Sequence, residues 1–92
     1  MKILFETSGG LLGIRKSITI DTDKLSVEEA ERLGRLIESI GKRKLRSLPK
    51  HGADYITYRI KTEDKDKDIE VTDLTMPESI RELIDTLKKY VK

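Results

Sequence analysis

The sequence predicts an α+β fold: a four-stranded, mainly antiparallel sheet with two helices packed on one face. Three observations predict it. Residues 2–21 and 55–74 each alternate apolar and polar side chains around a short turn, the signature of a hairpin. Each hairpin is followed by a stretch whose apolar residues recur at three- and four-residue spacing, the signature of a half-buried helix. The order is therefore strand, strand, helix, strand, strand, helix. At 92 residues the chain is read as a single domain, 1–92.

Lys2 to Thr7 reads as the first strand, with Ile3 and Phe5 on one face and Leu4 and Glu6 on the other. Ser8-Gly9-Gly10-Leu11-Leu12-Gly13 interrupts it; three glycines in five residues permit a path with positive φ. A second strand runs from about Arg15 to Asp21, with Ile18 and Ile20 on one face and Ser17 and Thr19 on the other. Ser26-Val27-Glu28-Glu29 is a capping box that opens the first helix. That helix runs to about Ile40 on a stripe of Ala30, Leu33, Ile37 and Ile40, widened by Leu36. Gly41 falls just past its end, and the cations that follow suit the helix dipole.

Leu45 to Ala53 reads as a connection, anchored by Leu45 and Leu48 and broken by Pro49 and Gly52. Tyr55 to Thr62 is a strand with Ile56, Tyr58 and Ile60 on one face. Glu63 to Lys67 is all charge and reads as a solvated turn before Ile69 and Val71 on the returning strand. Thr75 opens the last helix, with Pro77 in its first turn and Glu78 three residues on. Ile80, Leu83, Ile84, Leu87 and Val91 share one face of it. Ile3, Phe5, Ile18, Ile20, Leu33, Ile37, Ile56, Tyr58, Ile60, Val71, Leu83, Ile84 and Leu87 form the expected core.

Composition removes whole function classes. Cysteine is absent, so disulfides, thiolate zinc sites, cysteine nucleophiles and iron–sulfur clusters are not available. The one histidine, His51, cannot supply a site that needs two imidazoles. His51 and Asp54 are close in sequence, but nothing in the pattern builds a pocket around them. No catalytic residues, metal ligands or cofactor are expected. The longest apolar runs are three residues, so no membrane span or signal segment is expected, and the reading is cytoplasmic. Lys and Arg total 19 and Asp and Glu total 17; with both signs interspersed, the surface reads as well solvated and does not by itself mark a polyanion binder.

Three features remain. The glycine loop leads into a strand, whereas phosphate-cradling loops lead into a helix with a Lys-Ser/Thr pair or a spaced acidic residue. A hairpin loop explains its glycines but not Leu11-Leu12, which are either tucked over the edge of the core or offered to a partner. The basic cluster Lys42, Arg43, Lys44, Arg46 and Lys50 is a candidate phosphate-contacting patch for nucleic acid. It has no interleaved aromatic residue for base stacking, and a solvated helix end is the favoured reading. Asp64, Asp66 and Asp68 imitate the start of a calcium loop, but Ile69 and Thr75 stand where such a loop needs glycine and glutamate.

The opening Lys2-Ile3-Leu4-Phe5-Glu6-Thr7-Ser8-Gly9-Gly10-Leu11-Leu12-Gly13-Ile14-Arg15 resembles the start of the emfourin family. The strand ending in Asp21-Thr22-Asp23, the Glu-rich helix, Asp54-Tyr55-Ile56-Thr57-Tyr58-Arg59, the charged turn and the helix opening near Pro77-Glu78 are similar to that family as well. The basic stretch Lys42 to His51 departs from it. The resemblance implies a small protein inhibitor of protealysin and other thermolysin-like metalloproteases. Together with Leu11-Leu12 held between Gly10 and Gly13, it points to a protein partner bound by Ser8, Gly9, Gly10, Leu11, Leu12, Gly13 and Ile14.

Overall fold

A computed structural model describes residues 1–9, 13–41, 44–49, 55–63 and 66–91. Among these, five strands form one mixed sheet: β1 Lys2–Gly9, β2 Ile14–Asp21, β3 Lys44–Ser47, β4 Ile56–Thr62 and β5 Lys67–Thr72. The helices are α1 Val27–Glu38 and α2 Glu78–Lys88. The strand order is β2-β1-β4-β5-β3. The pairs β1/β2, β1/β4 and β4/β5 are antiparallel, and β3 lies parallel to β5 at the edge.

The fifth strand corrects the four-stranded expectation. β3 overlaps the start of the stretch read as a connection. Its inward residues are Leu45 and Ser47, and its outward residues are Lys44 and Arg46. Four residues with one inward apolar side chain carry too weak an alternation to stand out. A parallel edge partner is also invisible in local sequence. Ser8 and Gly9 likewise belong to β1 rather than to the loop that follows.

Register assigns the two faces of the sheet. Ile3, Phe5, Ile20, Tyr58, Ile60, Ile69 and Val71 point to the helices and are buried with Leu33, Ile37, Ile40, Ile80, Leu83, Ile84 and Leu87. Each such side chain, fully buried, contributes about 1.5–3 kcal/mol. Ile18 and Ile56, expected in the core, are only half-buried against it. Ile18 lies on edge strand β2, and Ile56 begins β4, so each lacks cover on one side.

Capping explains how α1 begins. The Ser26 hydroxyl accepts from the Glu29 amide at 3.2 Å and donates to the Glu29 carboxylate at 3.1 Å. The carboxylate therefore meets the hydroxyl rather than the backbone of Ser26. The last helix starts later than expected: Pro77 is its N-cap and makes no side-chain cap bond. Thr75 is drawn instead into the turn after β5. The helices run antiparallel across the sheet, the start of α1 meeting the end of α2. Tyr90 donates to the Glu29 carboxylate, and Arg32 lies 3.6 Å from Glu82.

Candidate partner-binding surface

Strand directions gather three connections at one end of the sheet. β1 ends there at Gly9, opposite both Ile14 of β2 and Ile56 of β4. β5 ends there at Thr72, and β3 ends there at Ser47 beside Val71. The β1–β2 hairpin, the β3–β4 connection and the β5–α2 turn therefore share one rim.

The hairpin stem closes with the pairs Ser8↔Arg15 and Gly9↔Ile14. Gly9 has φ +109° and Gly13 has φ +62°, both in the region that favours glycine. At Gly9 the chain also runs against the carbonyl oxygen of Tyr55, leaving no room for a side chain. The stem is thereby fixed to the start of β4. Ile14, the first residue of β2, is 54% exposed. Of the sequence-predicted contact residues, Ser8, Gly9, Gly13 and Ile14 sit together at this rim. Gly10, Leu11 and Leu12 lie outside the described residues.

Beside the stem, on the helix face, is an open cleft of about 350 Å³. Ile14, Ile56, Tyr58 and Val91 give it apolar walls, with Lys16 and Lys88 at its edge. Its floor is firm. The Tyr58 ring stacks on Phe5 with centroids 6.2 Å apart, and the Lys88 ammonium sits 4.9 Å above the Tyr58 ring.

The opposite face of the sheet has a different character. Register sets Glu6, Arg59, Glu70 and Arg46 in one row of alternating sign across β1, β4, β5 and β3. Arg59 pairs with Asp68 at 3.3 Å and Arg46 approaches Glu70 at 4.0 Å. Lys44 stands opposite Asp68 in the register. Lys44 and Arg46, the described members of the basic cluster, thus stand beside carboxylates, which suits a solvated face better than a phosphate-contacting one. Lys42, Arg43, Lys50, His51 and Asp54 lie outside the described residues. Among the described residues, no group of three or more His, Asp or Glu side chains is placed to hold a metal ion. Among them, no helix is long and apolar enough to cross a membrane.

Sequence reading missed one element of the rim, the turn after β5. Leu74 at its apex is 67% exposed. The available signal was Thr72-Asp73-Leu74-Thr75, two hydroxyls able to bind local backbone around an unexplained leucine.

No curated protein and no solved structure matches the chain. The family model Emfourin matches residues 5–88, from the middle of β1 to the last residue of α2, so it takes in every strand and both helices. The chain belongs to the emfourin family.

Proposed function

We propose that this protein is a non-catalytic inhibitor of a thermolysin-type zinc metalloprotease, acting by docking the tip of the β1–β2 hairpin at the active-site cleft. The observation that carries the reading is the stem. Gly9 is held against Tyr55, Gly13 turns the chain back, and Ile14 projects its side chain next to the tip. Family membership supports an inhibitory role.

The physical account is short. Thermolysin-like proteases favour bulky apolar side chains just after the bond they cut, and Leu11, Leu12 or Ile14 would fill that pocket. A stem fixed before binding lowers the ordering cost of association. A loop that docks without a well-placed scissile bond would block the cleft instead of being cut. The test is an inhibition assay against a small panel of purified thermolysin-like metalloproteases, with the recovered inhibitor checked for cleavage. Dose-dependent inhibition by intact protein is the expected result. No inhibition of any member would leave a structural or regulatory domain as the better reading.

A further inference from the structure

We propose that the Asp73–Thr75 turn, with Leu74 at its apex, is a second anchor for the same protease that takes the hairpin tip. The proposal rests on the inhibitor reading above. Ile14, Val27 and Leu74 are the large apolar side chains left exposed among the described residues. Val27 opens α1, away from this rim, whereas Ile14 and Leu74 both belong to it.

Leu74 is held out by a closed hydrogen-bond network. The Thr72 hydroxyl accepts from the backbone amides of Leu74 and Thr75, each at 3.2 Å. The Thr75 hydroxyl donates to the Ser47 carbonyl at 2.6 Å, so its contact of 2.8 Å with the Thr72 hydroxyl is one in which Thr72 donates. Asp73 ties the turn to β4 twice: its amide donates to the Ile56 carbonyl and its carboxylate accepts from the Ile56 amide, both at 3.1 Å. The turn is thus fastened to β3, β4 and β5 together, and Thr72 is fully buried. A fixed turn that presents an apolar side chain to water has its ordering cost met before a partner arrives.

Continuity with the hairpin argues for one occupant. Gly9 pairs with Ile56, and Ile56 is bonded to Asp73, so a single lateral line joins the hairpin to the turn. β1 and β5 are two strand spacings apart, roughly 10 Å. An ordinary protein interface covers about 800 Å² per partner, enough to include both. The complementary feature on the protease is an apolar depression of about one leucine side chain on the rim of its cleft.

The test compares wild type, Leu74→Ser, the Leu11→Ser, Leu12→Ser double variant, and all three changes combined. Each is assayed against a panel member that the wild type inhibits, with melting temperature and sedimentation recorded. Leu74→Ser is expected to keep the wild-type melting temperature and weaken inhibition at least tenfold, mainly through faster dissociation. The combined variant is expected to show the product of the separate losses, because the two anchors meet different pockets. Undiminished inhibition by Leu74→Ser, with the double variant weakened, overturns the second anchor and leaves the inhibitor reading intact. A Leu74-dependent dimer with unchanged inhibition assigns the turn to a second copy of this chain and also overturns it. If the wild type inhibits no member of the panel, the inhibitor reading fails and the second anchor fails with it.

Discussion

The α-carbon of Gly9 lies against the carbonyl oxygen of Tyr55 so closely that a β-carbon would sit under 3.0 Å from it. The obstacle is backbone, which cannot swing aside as a side-chain end would. Positive φ adds to it, since Gly9 has φ +109°. Gly13 has positive φ too, at +62°, but a β-carbon there meets nothing within 4 Å.

The two glycines should therefore respond differently. Gly9→Ala is expected to cost at least about 2 kcal/mol, from strained backbone and a forced shift of β1 from β4. In a domain of this size that lowers the melting temperature by roughly 8–16 °C. Gly13→Ala is expected to cost about 1–2 kcal/mol for its left-handed conformation alone, and Gly13→Asn less, because Asn tolerates that region. Thermal unfolding of the three variants checks the order. Equal losses at Gly9 and Gly13 would show that the contact with Tyr55 is not a constraint.

The bond from Tyr90 to Glu29 joins the two helices and sets a pH window. Tyr90 first, and then Ser26, hold the Glu29 carboxyl below its ordinary value of 4.5. Glu29 in turn raises the Tyr90 phenol above its ordinary 10.0. A lowered carboxyl pKa stabilises the fold above the unfolded value, and that contribution disappears as pH falls through the folded one. A raised phenol pKa stabilises below the unfolded value, and that contribution disappears as pH rises through the folded one. The stability difference between wild type and Tyr90→Phe is therefore expected to be flat from about pH 6 to pH 9 and to shrink on both sides. Denaturant titrations across that range read it out; a difference that is constant from pH 3 to pH 11 would mean the bond does not form in solution.

What the sequence made legible follows the strength of the local pattern. The β1–β2 hairpin and the α1 cap were readable because alternation and the Ser26–Glu29 pair are short-range signals that tertiary structure did not override. Family resemblance was readable from Ser8 to Arg15 and extends through the matched span. β3 was not readable, because only Leu45 and Ser47 face inward and its partner β5 lies more than twenty residues downstream. Thr75 was misread as a helix opener because a hydroxyl three residues before a glutamate fits a capping box equally well. In the fold its hydroxyl bonds the Ser47 carbonyl, a long-range partner that no local rule supplies. Leu74 went unnoticed for the same reason.

The charged face makes a third prediction. Arg46 and Lys44 stand beside Glu70 and Asp68, so the outward surface of β3 and β5 carries no excess of positive charge. Replacing Lys42, Arg43, Lys44 and Arg46 together with glutamine is expected to leave protease inhibition within about twofold of wild type. Breaking an exposed pair such as Arg46–Glu70 should change stability by no more than about 1 kcal/mol. Titration of the wild type with a short duplex DNA and a single-stranded RNA at two salt concentrations is expected to show only weak binding. Tight binding that falls steeply with salt and vanishes in the glutamine variant would move the function to nucleic acid.

The hairpin tip carries the decisive prediction. Leu11 and Leu12 stand between Gly10 and Gly13, next to a stem that the contact of Gly9 with Tyr55 holds in place. If they enter the protease cleft, each contributes about 1.5–3 kcal/mol when fully buried. Changing both to serine should therefore weaken inhibition at least ~100-fold, since each 1.4 kcal/mol is tenfold. On this reading folding is almost unaffected, because side chains that enter the protease do not serve the core of Ile3, Phe5, Ile60, Leu83 and their neighbours. Circular dichroism melting and inhibition kinetics on the same preparation separate the outcomes. If the double variant unfolds, the leucines belong to the core and the hairpin is structural. If it stays folded and inhibits as well as wild type, the contact lies elsewhere on the protein, and the 42–54 connection is the next segment to vary.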